Sequence, residues 1–169
     1  MSRANKVAKE LCKQLNKRIA SHEWTPEWKF ARKSRESADV GAEPKHGSRG
    51  DQRTVLIEAE LRREDPVSNI VKVWKYLQAG RFNRGLVLFH GFSSIYRSRR
   101  HATKRVRAQD AVLIGKLMET VNPNVRYVPV RFKYLPYKSA KEGGGARDRA
   151  ARRLANRVTA IWHKMKKAR

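Results

Sequence analysis

Acidic residues are scarce in this chain. Fifteen Asp and Glu stand against forty Lys and Arg among 169 residues, a formal net charge of +25 at neutral pH. That imbalance is far beyond what solubility needs. A field of that sign gathers polyanions, and the commonest polyanion in a cell is nucleic acid. Cysteine is almost missing too: Cys12 is the only one, which excludes an intrachain disulfide and a cysteine zinc site. It falls in an apolar helical stripe and reads as core filler. No apolar run approaches the about 18 residues of a membrane span, and no long basic amphipathic helix stands apart as a surface anchor. The amino-terminal stretch carries charge and no apolar signal-peptide segment. The expectation is a cytoplasmic, nucleoid-associated protein with no membrane partner. P-loop, dinucleotide and nucleophile-elbow motifs are absent. His22, His46, His90, His101 and His163 are scattered without metal-ligand spacing.

What is present suits one domain over residues 1–169, with a hydrophobic fraction of 40%. Val7, Leu11, Leu15 and Ile19 recur at helical spacing, which predicts an amphipathic helix over 3–21. Beyond Pro26, Trp28 and Phe30 alternate with charged residues as in a half-buried strand. Ala38, Val40 and Ala42 alternate within 36–43, and a turn-rich basic run, 44–51, leads into Thr54–Leu61, the clearest strand of the chain. Asp65 and Pro66 open a helix as N-cap and first residue, with Val67, Ile70, Val71, Trp74 and Leu77 expected on its buried stripe. Leu86–Phe89 is a continuous apolar strand. A basic stretch, Tyr96–Arg107, leads into a helix expected to bury Val112, Leu113, Leu117 and Met118. Val125–Val130 makes the last strand. Gly143-Gly144-Gly145 reads as a flexible break before a basic final helix from about residue 146. The order α-β-β-β-α-β-α-β-α predicts an α/β fold with a mixed central sheet flanked by helices.

Because acids are scarce, their positions are informative. Glu58 and Glu60 are two apart on a strand and share a face. Two carboxylates on one face repel unless a cation lies between them, which Arg, Lys or a divalent metal could supply. If the preceding hairpin is centred between Ser48 and Arg49, Asp39 lies opposite Glu58 and Gly41 opposite Leu56. Side chains so opposed sit about 5 Å apart at Cβ, and Asp39, Glu58 and Glu60 converge. Asp51, the rival to Asp39, falls near the hairpin tip. Glu36 is a further candidate beside the cluster. The alternative is an edge strand whose surface carboxylates pair with Arg62 and Arg63.

Ala38-Asp39 and Glu58-Ala59-Glu60, with this element order through Leu86–Phe89, resemble the PD-(D/E)XK nuclease superfamily. The resemblance covers about half the chain. It implies a restriction-endonuclease-like αβββαβ core, an acidic residue opening the second strand, and a carboxylate-x-lysine tripeptide on the third. Here Glu60 stands where the family usually has Lys, and Lys72, on the following helix, is the candidate for a migrated lysine. The implied activity is metal-dependent endonucleolytic hydrolysis of DNA. Asp39, Glu58 and Glu60 would hold Mg²⁺ (Mn²⁺ in its place), and Glu60 would otherwise orient the attacking water. Lys72 would stabilise developing negative charge. A nonenzymatic DNA- or RNA-binding protein is the competing reading.

Three basic clusters could grip phosphates, most naturally those of double-stranded DNA. They are the hairpin with Lys45, Arg49 and Arg53, the stretch with Arg97, Arg99, Arg100, Lys104, Arg105 and Arg107, and the final helix with Arg152 and Arg153. Nothing in them specifies a base sequence. Cutting both strands takes two sites, which by analogy makes a homodimer one candidate assembly.

Overall fold

The computed structural model describes residues 3–47, 51–61, 65–134 and 140–167. The elements follow the expected order: α1 (Arg3–Arg18), β1 (His22–Lys29), β2 (Ser37–Pro44), β3 (Thr54–Glu60), α2 (Val67–Gln78), β4 (Leu86–Ser93), α3 (Ala102–Val121), β5 (Val125–Phe132) and α4 (Ala140–Lys167). Two 3-10 turns, Ser94–Arg97 and Arg99–His101, join β4 to α3. All five strands form one mixed sheet in sequence order. The first three run as an antiparallel meander, and β3, β4 and β5 are parallel. The fold is therefore α/β with a mixed central sheet between helices, as the pattern predicted.

Helices cover both faces. On one, Leu11 and Leu15 of α1 and Leu154, Val158 and Trp162 of α4 pack over Val55, Ile57, Val87 and Phe89. On the other, Ile70 and Val73 of α2 and Ala111 and Met118 of α3 pack over Leu56, Leu86, Leu88 and Tyr127. Strands β3 and β4 are thus apolar on both faces, which is why their sequences read as unbroken apolar runs. Each such fully buried aliphatic side chain stabilises the fold by about 1.5–3 kcal/mol. Register between β2 and β3 pairs Val40 with Ile57, Gly41 with Leu56 and Ala42 with Val55. This is the register that sets Asp39 toward Glu58.

Four expectations are corrected. Strand β1 starts at His22 and contains Pro26. It is an edge strand, where the missing N–H of proline leaves no inner ladder bond unmade. Its alternation breaks at Glu27 (φ 51°), so Trp24 joins the α1/α4 core and Trp28 the α2/α3 core. On α2, Val71 is 54% exposed and Val73 takes its inward place. On α3, Leu113 (62%) and Leu117 (49%) point outward, while Ala108, Ala111, Gly115 and Met118 are buried. The Tyr127 ring explains this: a Cβ at residue 115 would lie 2.4 Å from it, so the helix rests on the ring through its small residues. Finally, Gly143-Gly144-Gly145 lies inside α4. Glycine costs a helix about 1 kcal/mol per residue, and the packing of Ala151, Leu154, Ala155, Val158 and Trp162 downstream offsets it. Among the described residues no helix is long and apolar enough to cross a membrane.

Candidate active site

Parallel pairing brings the carboxyl ends of β3, β4 and β5 to one edge of the sheet, where α/β folds gather their chemistry. Glu60 pairs with Phe92, and Phe92 with Arg131. Leu56 faces the α2/α3 core, so the two-residue period carries Glu58 and Glu60 to the same side. Both are buried, each 1% exposed. Strand β3 lies between β2 and β4, which excludes the surface, edge-strand reading. Arg62 and Arg63, which that reading invoked, lie outside the described residues.

The β2–β3 ladder stops at Val40 and Ile57. One residue further, a side chain continues the pairing: Oδ2 of Asp39 accepts the N–H of Ala59 at 2.8 Å. That bond seats the Asp39 carboxylate beside Glu58. Asp51 belongs to the other end of β3, where its carboxylate accepts from the main-chain N–H, Nε and Nη2 of Arg53 at 3.1, 2.9 and 2.5 Å. Glu36 stands apart from the cluster. Its Oε2 accepts from Lys75 Nζ at 3.0 Å and Tyr76 OH at 2.8 Å, and these bonds hold it below the usual carboxylate range.

Lys72 reaches the cluster from α2, whose N-cap is Pro66 rather than the expected Asp65; Asp65 Oδ1 accepts the N–H of Val67, the first helical residue, at 3.2 Å. Its Nζ lies 2.9 Å from Oε1 of Glu58 and donates to Ser37 O at 2.7 Å and Asn69 Oδ1 at 3.0 Å. Among the described residues Oε1 of Glu58, although buried, has no well-aligned hydrogen-bond donor, so Lys72 acts on it at short range mainly through its charge. Burial pushes the Glu58 carboxyl up to about 8, and the charge of Asp39 pushes the same way, against the pull of Lys72.

Glu60 is held differently. Its Oε1 accepts from Asn69 Nδ2 at 2.5 Å and lies 3.1 Å from Nε2 of His90. Nδ1 of His90 is 3.0 Å from the hydroxyl of Tyr127. Both ring nitrogens are thereby partnered, in a chain of buried groups crossing β3, β4 and β5. Burial, with the charge of Glu60 next, pushes the Tyr127 phenol up, so the hydroxyl stays protonated. In the sequence His90 is only one of five scattered histidines without metal-ligand spacing, and no motif there marks Asn69 or Ser37. The available signal was spacing: Asn69 precedes Lys72 by one helical turn, on the same face.

Among the described residues, no three or more His, Cys, Asp or Glu side chains are gathered so that they could hold a metal ion. The expected set of Asp39, Glu58 and Glu60 is thereby narrowed, since Oε1 of Glu60 is turned to Asn69 and His90. Asp39 and Glu58 are the pair that fits Mg²⁺, which binds through one or two carboxylates and keeps several waters. The buried, unaligned Oε1 of Glu58 is the atom such an ion would satisfy.

The expected phosphate-gripping residues divide by position. Lys45 and Arg53 lie at the amino end of β3, about 20 Å from Glu60 at about 3.3 Å of rise per residue, and Arg53 is tied to Asp51. Arg97, Arg100, Lys104, Arg105 and Arg107 follow β4, on the edge that holds Glu58 and Glu60. Arg49 and the side chain of Arg99 lie outside the described residues. Arg152 is 3.6 Å from Glu10, and exposed Arg153 donates to Lys133 O at 3.2 Å. No family model, curated protein or solved structure matches this chain.

Proposed function

We propose that the chain is a Mg²⁺-dependent endonuclease hydrolysing phosphodiester bonds in DNA, with Asp39, Glu58 and Lys72 as its reacting set. The observation that carries this reading is Glu58: a carboxyl buried at the end of an inner strand, beside a second carboxylate and a lysine. Stability alone disfavours such a group. The αβββαβ order, and the arrival of Lys72 from the next helix where the family's lysine is missing, support the PD-(D/E)XK resemblance. Bound Mg²⁺ would neutralise phosphate charge and lower the pKa of a bound water. The chain's own groups have separable tasks. Asp39 and Glu58 present oxygens to the cation. Ser37 and Asn69 aim the Lys72 ammonium at the cluster, where it would oppose the negative charge that builds on the phosphate. Glu60, fixed by Asn69 and His90, sets the electrostatics of the inner wall.

A second reading, a nonenzymatic DNA- or RNA-binding protein, has its own support: Lys72 already gives Glu58 a positive neighbour. The test is incubation with supercoiled plasmid, linear duplex and RNA, with Mg²⁺ or Mn²⁺ and with chelator. Cutting that needs the metal supports the endonuclease. Binding without metal-dependent cutting of any substrate overturns it in favour of the second reading.

A further inference from the structure

A cleft of about 590 Å³ opens where the carboxyl ends of β4 and β5 meet α4. Arg97, Arg131, Lys133, Arg153, Asn156 and Arg157 line it, together with Phe92, Ser94 and Phe132, and among the described residues no Asp or Glu does. The five cations come from four places in the chain: the turn after β4, the end of β5, the residue beyond it, and two positions one helical turn apart on α4. All five are exposed. Among the described residues Arg97, Arg131, Lys133 and Arg157 have no carboxylate partner, whereas Arg53, Arg81, Arg126 and Arg152 do.

Edge protection explains part of this. Strand β5 is an edge strand, and charges on an edge keep sheets from pairing edge to edge. That accounts for Arg131. It does not account for Arg97, Arg153 and Arg157, which lie on other elements and converge on the same cleft. Gathered like charges repel, and an anion between them removes the repulsion.

Position says which anion. Glu60, Phe92 and Arg131 are aligned across three parallel strands. Two interstrand steps put the Cα of Arg131 about 10 Å from that of Glu60. A nucleic-acid strand advances about 3.4 Å per nucleotide along its axis, so the cleft lies within a few nucleotides of a phosphate at the acidic cluster. Phe92 and Phe132 are 5% and 6% exposed, too covered to stack on bases, so the cleft can read only the backbone.

We propose that this cleft is a phosphate-binding groove that holds the sugar-phosphate backbone within a few nucleotides of the acidic cluster, without base specificity. It rests on the nucleic-acid part of the proposed function and not on cleavage. The test compares two triple variants for binding a fluorescently labelled DNA duplex by anisotropy, in chelator, across a salt series. One carries Arg131→Gln, Arg153→Gln and Arg157→Gln. The control removes equal charge from the exposed outer face of α1, through Lys9→Gln, Lys13→Gln and Lys17→Gln. All six side chains are exposed, and matching unfolding midpoints verify that both variants fold. The groove triple is expected to bind about tenfold or more weakly, with a salt slope shallower by roughly 2–3, and the control to lose less than about threefold. Equal losses in the two variants, or none in the groove triple, overturn the groove. The chelator lets binding be read without cleavage: tight binding here by a protein that cuts no substrate when Mg²⁺ or Mn²⁺ is supplied sinks the endonuclease and leaves the groove standing. A groove triple with unchanged binding sinks the groove alone, and a wild-type chain that does not bind duplex sinks both.

Discussion

Nζ of Lys72 lies 2.9 Å from Oε1 of Glu58, and that carboxylate is 1% exposed while the lysine is 15% exposed. Helix α2 thus delivers a positive charge to a carboxylate that β3 buries. Breaking a buried pair by removing one partner typically costs about 3–5 kcal/mol. Here Glu58 can take up a proton instead, which limits the loss. Lys72→Met is therefore expected to destabilise the chain by about 1–3 kcal/mol at pH 6 and by more at pH 9, where the wild-type pair is ionised and the variant must either hold the Glu58 proton against the pH or bury a bare charge. Urea unfolding at the two pH values measures it. Equal stability of variant and wild type at both would show that the pair is idle.

A second consequence concerns pH. The Glu58 carboxyl is raised to about 8 in the folded chain from an ordinary value of 4.5. A carboxyl raised by folding favours the folded state in its protonated form. Its contribution is present in full below about pH 4.5 and is lost as pH rises through about 8. Glu58→Gln deletes this dependence. In chelator, its stability relative to wild type should rise by a few kcal/mol between pH 4.5 and pH 9. Parallel curves for the two proteins would contradict the burial of this charge.

The Glu60–His90–Tyr127 chain yields a coupling prediction. Tyr127→Phe removes the hydroxyl at 3.0 Å from Nδ1 of His90 and is expected to cost about 1 kcal/mol. His90→Phe also strips a partner from Glu60 and should cost about 1–3 kcal/mol. If the three act as one network, the double variant loses less than the sum of the singles, by about 0.5–1.5 kcal/mol. Strict additivity in a double-mutant cycle would mean that the hydrogen bond to Tyr127 carries no weight.

Much of the acidic cluster was legible because a strand has period two and a hairpin has a register. Thr54–Ile57 announces an inner strand, Glu58 and Glu60 must then share a face, and a centre between Ser48 and Arg49 sets Gly41 opposite Leu56, as observed. His90 was not legible in the same way. Its pairing with Glu58 crosses a helical connection, and no local signal sets the register of strands joined through a helix. On α3 burial does not follow hydrophobicity. Close approach to Tyr127 selects small residues there, and the larger Leu113 and Leu117 are left outside. Gly115→Ala, which would put a Cβ 2.4 Å from the Tyr127 ring, should therefore cost about 1–3 kcal/mol. Leu113→Gln and Leu117→Gln should each stay within about 0.5 kcal/mol of wild type. Thermal or urea unfolding decides it, and the reverse ranking would refute this orientation of α3.

The central claim is that Glu58 serves chemistry rather than folding. The most direct measurement is the initial rate of supercoiled-plasmid cleavage in Mg²⁺ by wild type and by Glu58→Ala, with duplex binding followed in parallel. Wild type should cut, and the variant should bind comparably while cutting at least about a hundredfold more slowly. A Glu58→Ala protein that cuts as fast as wild type would contradict the claim.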